Sequence, residues 1–349
     1  MNTQQLVDPG KIEPELIRLW ESLSKEQSRA CLFNLIVFNE LSSRTDYIRE
    51  TVERVSKKYP CRVLFITSDP KAEKEYLKTA ISVVGDDNIV CDYIDIGVSS
   101  SDMDRVPFVI LPHLITDLPI ALLWTEDPAK EHILFEPFKK FAHRMIFDSE
   151  SADSLLAFSQ NILALREEDI DTADLNWART EGWRELIALI FHSNDKLNEI
   201  KHVEITFNAE ESEVFYHTKV QSLYLLAWMA TRLKWKFKRA TKDLDFTFEN
   251  QTAKIEQTSW GKMGSGTILS VKISTHNGYE FDASRMKDQP HHVAIKTSSP
   301  EKCEMPYQFV LGKTAAGQSL VKEIINKGTS VHYIEMLKGI QELDKDRLC

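Results

Sequence analysis

Two glycine-bearing segments come nearest to a phosphate-binding loop. Gly264-Ser265-Gly266 lacks the third glycine of a dinucleotide loop and runs into the strand-like Thr267-Ile268-Leu269, where such a loop should open a helix. It reads as a turn. Gly312-Lys313-Thr314 does lead into a helical pattern, but Tyr307 stands where a phosphate loop has its first glycine and no further glycine lies between. It reads as an ordinary strand-to-helix connection. The 10 histidines offer no pair at helical metal spacing beside an acid, and His291-His292 would point to opposite faces of a strand. No serine sits in a glycine-flanked elbow between strand and helix. Cys31, Cys61, Cys91, Cys303 and Cys349 show neither metal-ligand spacing nor a disulfide framework, so they read as reduced thiols. Carboxylate pairs abound, and the plain reading is a solvated acidic surface. No catalytic, metal or cofactor site is expected.

What stands out is tryptophan beside arginine. Asp174 to Glu185 holds Trp177, Arg179, Trp183 and Arg184, and Trp228, Arg232 and Trp235 follow around a later helix. Tryptophan and arginine are the residues most enriched at interface hot spots, so this clustering suggests a docking surface built from Trp177, Arg179, Trp183, Arg184 and Arg232. The competing reading is core. Trp183 shares a helical face with Leu186, Ile187 and Ile190, and Trp228 lies in a helix apolar all round, whereas Trp177, Arg179 and Arg184 are freer to face outward.

The elements that must position these residues follow from composition and periodicity. At 349 residues, 42% of them hydrophobic, the chain is long enough for two cores. Its net charge of −10 argues against a nucleic-acid partner. Val106 to Trp124, the longest apolar stretch, is broken by Pro107, Pro112, His113, Asp117 and Pro119, so no membrane span is expected. Met1 to Gly10 has neither a basic start nor an apolar core, and a cytoplasmic location is the expectation.

The first half alternates strands and helices. Cys31–Phe38, Arg62–Thr67, Ile89–Ile96, Ile120–Trp124 and Met145–Phe147 read as strands. Between them, helices are predicted from a capping box at Ser43/Asp46 to Tyr59, over Lys71–Val83 and over Ala129–Ala142. This pattern predicts an α/β N-terminal domain, 1–170, with a mainly parallel sheet covered by helices. The acidic stretch Arg166–Asp174 supplies the boundary. In 171–349, helices near Trp183–Phe191 and Val220–Leu233 precede seven strand patterns from Trp235 to Leu311, with the hairpin dipeptide Asn277-Gly278 among them. That half should be α+β with an antiparallel sheet, closing with helices near Ala315–Asn326 and Ser330–Leu343.

Four of these segments resemble, in order, a known family. Asp174–Glu185, followed by Leu186-Ile187-Ala188-Leu189, is similar to the tryptophan-arginine signature of the glucose-6-phosphate dehydrogenase assembly proteins, the OpcA family. Tyr59-Pro60-Cys61-Arg62-Val63, Leu118-Pro119-Ile120-Ala121-Leu122-Leu123-Trp124 and Leu225 to Trp235 fit the same pattern. One departure is Gly182, where the family tends to have proline before the second tryptophan. The resemblance implies a non-catalytic cytoplasmic protein that binds glucose-6-phosphate dehydrogenase and promotes its assembly or allosteric activation in the oxidative pentose phosphate pathway. The rival is a lactonase-like sugar-phosphate enzyme of the same pathway, since α/β sheets readily host phosphosugar sites. A scaffold for another partner is a third reading, and the chain's own oligomeric state is left open.

Overall fold

The computed structural model describes residues 4–22, 27–85, 89–191, 197, 199–261, 263–311, 317–326 and 328–343. It divides into two compact units that are each discontinuous in sequence. The first comprises Met1–Asp148, Leu165–Leu175 and Ala315–Gly328; the second comprises Ser149–Ala164, Asn176–Thr314 and Thr329–Cys349.

The first unit is a nine-stranded sheet. Its strands are β1 (Gln5–Val7), β2 (Ser28–Arg29), β3 (Asn34–Glu40), β4 (Arg62–Asp69), β5 (Leu77–Gly85), β6 (Ile89–Ser99), β7 (Ile120–Trp124), β8 (Arg144–Phe147) and β9 (Thr172–Asp174). They run in the order β1-β5-β6-β4-β3-β7-β8-β9, with β2 beside β6. The stretch from β6 to β9 is parallel throughout. From β3 at the centre the chain builds outward through β4 and β6, then returns to lay β7, β8 and β9 on the other side. This is a doubly wound sheet whose strand order reverses between β3 and β7. The central strands are buried on both faces, which is why they read as unbroken apolar runs. One face is covered by the helix Thr45–Lys58, through Ile48, Val52 and Val55, and by Leu320 and Val321 of the helix Gln318–Ile325.

Three local expectations need correction here. Lys71–Val83, expected as a helix, instead leads into β5, which pairs antiparallel with β6 over Leu77 to Gly85. Ala80-Ile81-Ser82-Val83-Val84 is rich in β-branched residues, and an antiparallel neighbour needs no helical crossover. The predicted helix Ala129–Ala142 shrinks to Phe135–Lys139. The capping box at Ser43 is also not formed: the helix starts at Thr45 with no side-chain cap at Arg44, and Thr45 Oγ1 instead accepts the Ser42 amide at 3.0 Å.

The second unit carries an eight-stranded sheet. Its strands are β10 (Ile200–Asn208), β11 (Phe237–Ala240), β12 (Asp245–Phe248), β13 (Thr252–Thr258), β14 (Ile268–Thr275), β15 (Glu280–Arg285), β16 (His292–Ser298) and β17 (Tyr307–Val310). Their order is β11-β12-β13-β10-β14-β15-β16-β17, antiparallel except for β10 against β13. The Asn277-Gly278 hairpin forms as expected, with Gly278 at φ 80° in the turn between β14 and β15. Val203, Ile205, Val271, Ile273, Phe281 and Ile295 are buried on the inner face, and the helix Val220–Arg232 lies against β10 and β13. That helix also packs closely on the helix Val331–Leu343. A Cβ on Gly339 would sit 2.7 Å from Thr231 Cγ2 and 3.4 Å from the Ala227 carbonyl, so only glycine permits this approach.

The thiols of the first unit are embedded in its sheet. Cys61 and Cys91 are buried, and Cys91 donates to the Val84 carbonyl at 3.2 Å. A hydrogen bond to Cys91, and then burial, hold the Cys61 thiol above its ordinary value. Burial likewise raises Cys31. Because the thiolate is the nucleophile, Cys31 and Cys61 should alkylate slowly in the folded state, and burial should shield Cys91 although its hydrogen bond with Cys61 lowers its pKa, so that all three react more slowly than the exposed Cys303. Mass spectrometry after timed iodoacetamide treatment checks this. Labelling of Cys61 or Cys91 as fast as Cys303 without denaturant would contradict it.

Candidate partner-binding site

Open doubly wound sheets bind ligands at the reversal point, beyond the strand ends, which here means the ends of β3 and β7. After β3 the chain reads Asn39-Glu40-Leu41-Ser42-Ser43-Arg44, with no glycine to bring backbone close to a phosphate. Its amides are also engaged. Glu126 Oε1 accepts the Glu40 N–H at 2.8 Å, Thr45 Oγ1 accepts that of Ser42, and Ser42 Oγ accepts that of Arg44. Burial, with the neighbouring Glu40 charge, raises the Glu126 pKa. A carboxylate thus occupies the place where a dinucleotide fold offers donors to pyrophosphate. Beside it Phe38 stacks on Trp124 at 4.4 Å, and His132 packs on Phe38 at 4.5 Å, its imidazole pKa lowered by burial. Among the described residues no group of three or more His, Cys, Asp or Glu is placed to hold a metal ion. No helix of the described residues is long and apolar enough to cross a membrane.

The tryptophan-arginine segment, which from Asn176 on belongs to the second unit, lies on two consecutive short helices, Leu175–Arg179 and Glu181–Ile190. Their geometry sorts the five sequence-chosen residues into different roles. Trp177 and Trp183 are buried, at 6% and 2% exposure. The outward orientation expected for Trp177 is therefore not found; its ring instead packs on Tyr333 at 5.7 Å. The Arg184 guanidinium lies 3.3 Å over the Trp177 ring, donates to the Trp177 carbonyl at 2.6 Å, and also donates to Thr180 Oγ1. It fastens one helix to the other. Arg179 donates to Asn176 Oδ1 at 2.8 Å and sits 5.4 Å over Phe215. Arg285, which the sequence did not single out, lies 5.6 Å over Trp183 and donates to the Ile268 and Pro290 carbonyls; burial lowers its pKa to about 10.

Arg232 differs. It ends the helix Val220–Arg232, and its guanidinium is 48% exposed, 3.6 Å from Glu335. The chain then reverses sharply: Lys234 takes a left-handed φ of 55° and the Trp235 amide reaches back to the Ala230 carbonyl at 2.8 Å. This is a helix-ending turn usually built on glycine. It folds Trp235 edge-on to Phe248 at 5.3 Å. The result is a groove of about 720 Å³ whose lining includes Trp228, Trp235, Arg232, Lys234 and Lys236 together with one carboxylate, Glu249. From Arg232 to Lys242 there are six cations and no carboxylate, a local reversal of the chain's net charge of −10. Such a surface can hold an acidic partner through charge, with half-buried indole rings as apolar anchors.

Comparison with known proteins bears on which partner. Residues 52–164 match the model of a glucose-6-phosphate dehydrogenase subunit N-terminal domain, and residues 170–335 match that of the corresponding C-terminal domain. The chain belongs to the glucose-6-phosphate dehydrogenase subunit (OpcA) family. Relatives provisionally named OxPP cycle protein OpcA include one from Nostoc punctiforme, 25% identical over 56% of this chain and 43% of its own length. Another, from Synechocystis, is 27% identical over 56% of this chain and 45% of its own length. The chain thus spans under half the length of the curated relatives it matches.

Solved structures share the fold of this chain. A protein from Desulfitobacterium hafniense, provisionally described as an NADPH-dependent oxidoreductase, has a TM-score of 0.52 at 9% identity, covering 90% of this chain and 95% of its own. The transcriptional regulator Gal80p from Kluyveromyces lactis has a TM-score of 0.50 at 8% identity, covering 94% and 95%. At such identities these likenesses concern the fold alone.

Proposed function

We propose that this chain is a non-catalytic assembly factor and allosteric activator of glucose-6-phosphate dehydrogenase, acting in the cytoplasm. The observation that carries the reading is the succession of the two family matches, which cover both halves and meet between residues 164 and 170. That meeting point supports a division in chain order at 170/171. Of the five residues chosen from sequence, we assign Arg232 to direct contact with the enzyme, joined by Lys236 and the rings of Trp228 and Trp235. Trp177, Arg179, Trp183 and Arg184 support that surface from within. The carboxylate-occupied reversal point of the first unit favours this reading over a nucleotide-dependent enzyme.

Activation requires that the chain bind the active form or oligomer of the dehydrogenase more tightly than the inactive one, since equal affinity would shift nothing. Size-exclusion chromatography of the two purified proteins tests the association. At micromolar concentration they should co-elute, and the chain alone should turn over no sugar-phosphate or lactone intermediate. Independent elution, or hydrolysis of a lactone by the chain, would reject the proposal in favour of an enzyme or another partner.

A further inference from the structure

The sheet of the second unit ends in two edge strands that the sequence treats in opposite ways. β11 is preceded by Lys236, carries Lys238 and Arg239, and has a register shift between Phe237 and Arg239. Charge and bulge are two of the devices that stop an edge from pairing with another chain. β17 has neither. From Met305 to Leu311 the sequence holds no charged residue. Its register with β16 is unbroken from Ile295↔Tyr307 to His292↔Val310. Pro306 lies just before the ladder and leaves Tyr307 to Val310 able to pair. Among the described residues no strand lies along the outer side of β17.

The side chains of β17 are also incompletely covered. Tyr307 and Phe309 stand opposite Ile295 and Val293, which are fully buried, so they belong to the core side of the sheet. Even so, Tyr307 remains 45% exposed, and Val310 and Met305 remain 56% and 87% exposed. A further strand would extend the core over Tyr307 and, on the opposite face where it stands across from His292, would cover Val310.

We propose that β17 pairs antiparallel with β17 of a second copy, about a two-fold axis at Gln308, joining two sheets into one. The strand is self-complementary in this register. Tyr307 meets the partner subunit's Phe309, an aromatic cross-strand pair, and Gln308 meets the partner subunit's Gln308, whose amide can both donate and accept. With no charge on the strand, a second copy meets no like-charge repulsion, whereas β11 would bring Lys238 and Arg239 against themselves. Three residues of each strand, Tyr307, Gln308 and Phe309, pair in this register, a small interface, so the dimer should depend on concentration.

Sedimentation velocity on the chain alone, between about 1 and 100 µM, tests this independently of any dehydrogenase. Wild type should dimerise across that range. Gln308→Lys and Gln308→Glu, each at an exposed position, should each stay folded by circular dichroism and weaken dimerisation by ~10-fold or more, a loss of about 1.4 kcal/mol. An equimolar mixture of the two should dimerise again, because the opposed charges then attract. A wild type that stays monomeric at about 100 µM, a dimer that survives in both variants, or a mixture that stays monomeric would overturn the proposal.

Discussion

Replacing Arg62 with methionine should destabilise the first unit by about 3–5 kcal/mol, a large share of the ~5–15 kcal/mol that holds a typical domain. Arg62 lies at the start of β4, 5% exposed, and its guanidinium makes four hydrogen bonds. Nε and Nη2 both donate to Asp92 Oδ2, at 2.9 and 2.6 Å, while Nη1 donates to Glu13 at 2.8 Å and to the His113 carbonyl at 2.7 Å. Asp92, 2% exposed, is held further by Arg29 at 2.6 Å and the Trp20 indole at 2.7 Å. Removing Arg62 strips the main partner from a buried carboxylate. At this unit's size the melting temperature should fall by roughly 6–20 °C. The double substitution Arg62→Met with Asp92→Leu should recover much of the loss, because a buried pair replaced by apolar side chains no longer leaves a lone charge. Thermal melts of both variants check this. A single variant that melts with wild type would show that the network holds nothing together.

The second large effect concerns the groove. Arg232→Glu combined with Lys236→Glu should weaken binding to the dehydrogenase by ~30-fold or more, the hot-spot level of about 2 kcal/mol, and should flatten its salt dependence. Stability should barely change. The two side chains are 48% and 78% exposed, and their partners Glu335 and Glu249 lie 3.6 Å away in solvated pairs worth little. Alanine at Trp235 would be a poorer test, since its ring packs on the buried Phe248. Arg184→Ala is poorer still: it removes the clamp on Trp177, so any loss of binding would follow a loss of fold. Unchanged affinity in the double charge reversal, measured by titration calorimetry, would place the contact elsewhere.

The central strands β3, β4 and β7 were legible because burial on both faces writes itself as continuous apolar sequence. β5 was not: the charged run from Lys71 to Glu75 reads as helical, while the pairing with β6 that makes Leu77–Gly85 extended is a tertiary fact. β10, the central strand of the second sheet, passed unnoticed although Val203, Ile205 and Phe207 alternate cleanly with Glu204 and Thr206. A register shift between Ile200 and His202 breaks that alternation at its start. The site was half legible. Trp and Arg clustering marked the segments from which the proposed surface is drawn, but which arginine braces and which faces solvent depends on the stack of Arg184 over Trp177 and on the left-handed turn at Lys234. Neither leaves a periodic trace in sequence.

The central claim is activation, and the initial rate of glucose-6-phosphate dehydrogenase, measured against increasing concentrations of this chain, tests it most directly. The rate per enzyme should rise and saturate at the concentration where the complex forms, and the Arg232→Glu, Lys236→Glu double variant should shift that curve to higher concentration by the same factor as it weakens binding. A rate that stays flat while the two proteins demonstrably form a complex would contradict the account.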